Sequence, residues 1–228
     1  MYKEWPLGNL PENLKRSELN ELKVLGYEWN NPNEIIDLFE KKVAEFTGSK
    51  YAVAVDCCSN ALFLILKYIN KPQKIKIPSK TYVSVPMQIK HAGYEFEFIE
   101  KEWSGCYQLE PLNVWDAAGR WTKDMYVGNG SYQALSFQIK KRLPIGRGGM
   151  ILCDDYESYK WFKRSSYDGR DIDTNYLEDD ITMEGWHMYM TPEDAARGII
   201  LMDKISEVNE DTHNHKSYKD LTLNTIFK

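Results

Sequence analysis

Long apolar runs, basic blocks and a cysteine framework are all missing from this 228-residue chain. Its longest apolar stretches, such as Ala61 to Leu66, fall far short of the roughly 20 residues that a membrane-spanning helix requires, so no membrane contact is expected. The opening Met1-Tyr2-Lys3-Glu4-Trp5 leads into no apolar segment of the secretory kind, which points to a soluble, cytoplasmic protein. Lys and Arg number 29 against 34 Asp and Glu, for a net charge of -5, and the cations are scattered. Nucleic acid is therefore not the expected partner. The four cysteines, Cys57, Cys58, Cys106 and Cys153, form neither a disulfide pattern nor a metal-ligand spacing, and are read as reduced thiols with no metal site. Internal repeats and low-complexity tracts are absent as well.

What is present is an alternation of strand and helix signals. Ile35, Phe39, Val43 and Phe46 share one helical face ahead of Gly48, a stop signal. Tyr51 to Val55 is a short β-branched run suited to a strand buried on both faces, and a helix is expected from Ser59 to Ile69. The pattern recurs with Lys74 to Ile77, a helix near Val83 to His91, and a strand at Glu95 to Ile99. Further strands are expected at Asn113 to Trp115, Ala134 to Phe137 and Gly149 to Leu152, and a helix from Pro192 to Val208. Ser165 to Gly185 reads as a long loop, and the polar stretch beyond Asn209 as a mobile tail. The fold class is α/β, a three-layer sandwich around a mixed, mostly parallel sheet.

Open α/β sheets bind ligands beyond the carboxyl ends of their strands. After Val55 comes Asp56-Cys57-Cys58-Ser59-Asn60-Ala61, small polar residues entering a helix. The dipole-positive helix start suits a phosphate, and a plain cap by Ser59 or Asp56 is the alternative. After Trp115 comes Asp116-Ala117-Ala118-Gly119, a carboxylate followed by small residues that permit close approach of a flat ligand; Asp116 could equally be an N-cap. Ser136 to Gly149 carries Lys140, Lys141 and a glycine cluster before another strand. It is either a basic surface loop or part of a site, and it lacks the Gly-Lys-Ser/Thr of a phosphate-binding P-loop.

Together these pieces match what pyridoxal phosphate requires: a phosphate cradle, a carboxylate for the ring nitrogen and a lysine for the Schiff base. The chain resembles the large domain of the DegT/DnrJ/EryC1/StrS sugar aminotransferases, which have the fold-type I architecture. The family run Ser-Phe-His-x-x-Lys-x-Leu-x-x-Gly-Glu-Gly-Gly aligns without a gap on Ser136, Phe137, Leu143, Gly146, Gly148 and Gly149, which puts the cofactor lysine at Lys141 and not at Lys140. The phosphate turn Ser-Ser-Gly-Thr-Ala-Ala-Leu is matched by Asp56 to Leu62, with Ser59 in the threonine position, and Asp-Ala-Ala by Asp116-Ala117-Ala118. Pro78 to Ser84 resembles the segment whose aromatic residue stacks on the cofactor ring, here Tyr82, and Gly185 to Gly198 resembles the run before a long helix.

The resemblance implies that Cys58, Ser59, Tyr82, Asp116, Ser136, Gln138 and Lys141 surround the cofactor, with Lys141 and Asp116 catalytic. It implies a homodimer that takes an amino group from an amino acid, commonly glutamate, and passes it to a keto group of a nucleotide-linked sugar. Residues 1–208, the N-terminal segment 1–33 included, would be the cofactor-binding large domain and 209–228 a tail, the usual small domain being absent. Gln138, Gly119 and Arg147 depart from the usual His, Gln or His, and Glu, Cys57-Cys58 replaces Ser-Gly, and His187 and Tyr189 replace Asn and Arg. Two other readings are a sugar dehydratase, which in the family has His in place of the lysine, and a non-catalytic sugar- or nucleotide-binding or scaffolding subunit.

Overall fold

A computed structural model describes residues 10–11, 14–71 and 73–227. The opening residues, read above for a leader, lie outside them, as does part of the segment 1–33. Seven strands and six α-helices follow one another among the described residues: α1 (Glu18–Val24), α2 (Glu34–Thr47), β1 (Tyr51–Val55), α3 (Cys58–Ile69), β2 (Lys74–Pro78), α4 (Ser84–His91), β3 (Glu95–Ile99), β4 (Tyr107–Gln108), β5 (Val114–Asp116), β6 (Tyr132–Ser136), β7 (Gly149–Cys153), α5 (Tyr156–Ser166) and α6 (Pro192–Met202). No helix among the described residues is long and apolar enough to cross a membrane.

The strands alternate side chains between two cores, and that alternation defines the layers. Ala52 and Ala54 of β1, Met150 and Leu152 of β7, and Leu135 of β6 face a core shared with α1, α2 and α6. The intervening Val53, Val55, Ile151, Cys153 and Ala134 face a second core filled by α3, α4 and α5. Helices therefore cover both faces of a mixed sheet, giving three layers. Five strands pair in the order β1-β7-β6-β5-β4 and β2 pairs with β3. Reciprocal backbone bonds between Lys76 and Glu110, at 2.7 and 3.1 Å, join the two groups. Because β7 is antiparallel to both β1 and β6, β5 is parallel to β6, and β4 is antiparallel to β5, the strands β1, β5 and β6 run the same way. Their carboxyl ends consequently share one edge of the sheet, although β1 and β2, consecutive in sequence, are not neighbours.

The outer edge of β1 is kept from open pairing. Glu40 of α2 accepts from the Ala54 N–H at 2.8 Å, and the Asp56 N–H donates to the Met188 carbonyl at 2.8 Å. Glu40 is itself held by the Lys163 ammonium of α5, at 2.9 Å, which also meets Asp37 at 2.7 Å.

Several stretches differ from the sequence reading, α1 and β4 among them, for which it holds no expectation. Helix α5 had no expectation, though Asp155 caps it by accepting from the Ser158 N–H at 2.7 Å. Helix α6 starts as expected, with Thr191 capping and Pro192 leading, but ends at Met202 and not at Val208. Beyond Asn209 the chain, whose polarity suggests a tail, is bonded along the body: Gly105 N–H donates to the His213 carbonyl, Thr212 N–H to the Gly119 carbonyl and Leu221 N–H to the Ser79 carbonyl, all at 2.8–2.9 Å.

Candidate functional site

The shared strand edge opens into a cavity of about 560 Å³. Cys58 and Ser59 reach it from the start of α3, Asp116 from the end of β5 and Ser136 from the end of β6. Tyr82, Gln138 and Lys141 come from the connecting loops, so the seven residues singled out from the sequence line one space.

Helix α3 is apolar nearly all round, with Ala61 to Leu66 all buried. Burial anchors its body between sheet and helices and aims its N-terminus at the cavity. No side chain caps that terminus: Cys57 stands at the N-cap position in extended conformation without a side-chain bond. The cap alternative for Asp56 and Ser59 is thus not what the structure shows. Asp56 instead accepts from Asn60 Nδ2 at 2.7 Å and pairs with Arg147 at 2.7 Å, which gives the unusual arginine at position 147 a partner. Ser59 Oγ lies 2.6 Å from Ser84 Oγ at the head of α4, so two helix starts meet at one pair of hydroxyls. Uncapped N–H groups, a helix dipole and two hydroxyls are the chemistry of an anion cradle.

Close approach of backbone makes the cradle possible. A Cβ on Gly149 would stand 2.5 Å from Cys57 C and Cys58 N, so the first residue of β7 must lack a side chain for α3 to begin where it does. Gly149→Ala is expected to cost about 1–3 kcal/mol, seen as a lower urea midpoint at unchanged slope.

Asp116 is 5% exposed. Its Oδ2 accepts from the Tyr107 hydroxyl at 2.8 Å and its Oδ1 from the Ala118 N–H at 2.9 Å. Burial raises its pKa, while these two donors and Lys141 oppose the rise. Asp116 therefore both closes its local turn and presents a buried carboxylate to the cavity. Lys141 follows a turn fixed by Gln138, whose side-chain oxygen accepts from the Lys140 N–H at 2.8 Å and whose carbonyl accepts from the Lys141 N–H at 2.8 Å. Lys140 is exposed and Lys141 half-buried. Burial lowers the Lys141 pKa, against the pull of Asp116 and Cys58.

Gly119 lines the cavity, and a Cβ there would also lie 3.1 Å from the carbonyl oxygens of both Gly105 and His213. The space admits protein backbone. Sequence reasoning also missed Trp103, His213, Ser217 and Tyr218, which line the same cavity. No local pattern marks the last three, since they sit in the polar stretch after α6. Ser84 closes the segment Pro78 to Ser84, where the sequence gives it no role.

The chain is similar to several known proteins. Among curated relatives, the chain is 26% identical to the spore coat polysaccharide biosynthesis protein SpsC of Bacillus subtilis, over 62% of this chain and 48% of that one. It is 28% identical to the dTDP-3-amino-3,6-dideoxy-alpha-D-galactopyranose transaminase of Aneurinibacillus thermoaerophilus, over 46% of this chain and 29% of that one. The chain thus spans about half the length of SpsC or less of such relatives. The crystal structure of AtS13 from Actinomadura melliaura shares the fold, with a TM-score of 0.69 at 18% identity over 82% of this chain and 64% of that one. A family model matches residues 14–123 and 112–226, and the chain belongs to the DegT/DnrJ/EryC1/StrS aminotransferase family.

Proposed function

We propose that this protein is a pyridoxal-phosphate-dependent sugar aminotransferase, moving an amino group from glutamate to a keto group of a nucleotide-linked sugar. One observation carries the reading: a single cavity contains an uncapped helix start with paired hydroxyls, a buried carboxylate and a half-buried lysine. Those three groups fit the phosphate, the ring nitrogen and the aldehyde carbon of pyridoxal phosphate. When bound, the cofactor supplies an electron sink for the carbanion formed at the amino-bearing carbon.

The chain's own residues supply the rest. Ser59, Ser84 and the first N–H groups of α3 hold the phosphate, with Ser136 beside them. Asp116, kept dry and already oriented by Tyr107 and Ala118, accepts the proton-bearing ring nitrogen as a hydrogen-bond donor. Tyr82 covers a ring face. Lys141, whose burial favours the neutral amine, would hold the cofactor through its aldehyde carbon, with water as the leaving group, and would carry a proton to and from the substrate carbon. Gln138 fixes the turn from which Lys141 reaches in.

The homodimer belongs to the same proposal; the exposed Tyr82, Val83 and Ile139 support it by offering apolar surface near the cavity. Added pyridoxal phosphate should produce a visible absorption band that glutamate bleaches. A band unchanged by glutamate and by other amino acids would favour the binding-subunit reading. Asp116→Ala is expected to weaken cofactor binding by about 10- to 100-fold, the range for a hydrogen bond to a charged group, in a titration of that band.

A further inference from the structure

The stretch from Asp211 to Tyr218 is tied to the body of the fold by several independent bonds. Arg120 grips Asp211 through both carboxylate oxygens, Nε to Oδ1 and Nη2 to Oδ2, each at 2.9 Å. The same guanidinium reaches Cys106 Sγ at 3.0 Å and the Ser104 carbonyl at 3.2 Å, so the clamp is anchored on the segment before β4. Backbone bonds on Gly105 and Gly119 flank the clamp, and Gly119 leaves room for the His213 carbonyl. The segment brings three side chains, His213, Ser217 and Tyr218, into the cavity that holds Lys141.

Thr212 Oγ1 lies 3.1 Å from the Gly119 carbonyl, which also takes the Thr212 N–H, and 2.8 Å from His213 Nδ1. The imidazole is thus held through Nδ1, and Nε2 is the ring nitrogen left for a ligand in the cavity. Burial lowers the His213 pKa, and Lys141 and Lys140 lower it further, so the neutral form is favoured. Tyr218 is the centre of a ring cluster: Trp103 stacks on it at 5.7 Å, His213 lies at 6.0 Å and the edge of Tyr82 at 6.4 Å.

A hydrogen-bonding imidazole beside clustered aromatic rings suits a ligand with apolar ring faces and hydroxyl edges, which is the chemistry of a pyranose. Resting on the aminotransferase reading, we propose that residues 211–218 form the sugar-recognition wall of this site, with His213 Nε2 hydrogen-bonding a ring hydroxyl and Tyr218 with Trp103 packing against the ring. His213 and Tyr218 are then specificity-determining residues, and cofactor binding does not depend on them.

The test separates the two layers. Pyridoxal-phosphate affinity is read from the visible band, and sugar binding from calorimetry of the loaded protein with dTDP-glucose and UDP-glucose, which carry ring hydroxyls and no keto group. His213→Leu and Tyr218→Leu should each weaken the better probe by about tenfold, the effect of one neutral hydrogen bond or ring contact, while cofactor affinity holds. His213→Gln, which restores a hydrogen-bonding group, should recover part of the loss. Unchanged probe affinity in both Leu variants, or no binding of either probe to the wild type, overturns the wall and leaves the aminotransferase reading intact. Parallel loss of cofactor and probe also overturns it, by making the segment a structural support. A wild type without a cofactor band sinks the aminotransferase reading instead, which the band decides alone.

Discussion

Lys141→Ala is expected to cut amino transfer by about 10²–10⁴-fold, the range carried by a positioned proton-transfer group. The size follows from the double duty proposed for one amine: it bonds the cofactor and then shuttles a proton, so removing it takes away both. Burial prepares it for the first duty by lowering its pKa, which an exposed lysine would not share. The check is direct. Borohydride reduction of wild-type protein with pyridoxal phosphate should leave the cofactor's mass on the peptide carrying residue 141. Lys140→Ala should still be labelled and Lys141→Ala should not. Labelling on Lys140, or undiminished turnover in Lys141→Ala, refutes the assignment made by the gap-free spacing to Gly146, Gly148 and Gly149.

Glu40→Ala is expected to destabilise the protein by about 3–5 kcal/mol, the range for breaking one side of a buried ion pair. Glu40 is 4% exposed, and its two oxygens are divided between the Ala54 N–H and the Lys163 ammonium. Truncation leaves an edge N–H without its acceptor and Lys163 with Asp37 as its remaining carboxylate, so the lower end of the range is the better guide. Glu40→Gln, which can keep the Ala54 bond, should lose less, and the double variant Glu40→Ala/Lys163→Met less than Glu40→Ala alone. Urea midpoints at equal slope measure all three. Burial by itself would push the Lys163 pKa down, yet Glu40 and Asp37 override it and hold it above the ordinary lysine value. A raised cation pKa stabilises fully below the unfolded value and is lost as pH climbs through the folded one, so this contribution is intact at neutral pH and fades only in strong alkali.

Legibility in the sequence tracked the range of the interactions involved. Strand ends and the residues after them were readable because the β-branched runs, the small polar turns and the glycine spacing are local. The same locality put Ser59, Asp116 and Lys141 at one sheet edge before any pairing was known, since equivalent strand ends in an α/β sheet converge. The end of α6 was not readable. Ile205 and Val208 prolong an apolar pattern, but the chain leaves the helix at Met202 and its Glu207 carbonyl takes the Lys123 N–H at 2.8 Å, a bond 84 residues away in sequence and invisible to a periodic pattern. His213 and Tyr218 were hidden for the same reason: polar context resembles a tail unless Arg120, Gly105 and Gly119 are known to lie opposite. Gly119 did stand out, as a departure from the family pattern, but nothing in its neighbours said that backbone would fill the space.

The close approach at Gly149 ties folding fidelity to ligand binding. Val55 faces Gly149 across the β1–β7 ladder, and Cys57 bridges to Gly148 just beyond it. Shift that ladder by one residue and Met150 would be driven toward the head of α3, while every side chain of β7 would change core. A mispaired strand would thus meet a steric penalty in the very place where an anion is to be cradled. The glycine acts as a selector of strand alignment, and a correctly formed binding site is also a certificate that the central sheet has paired in register.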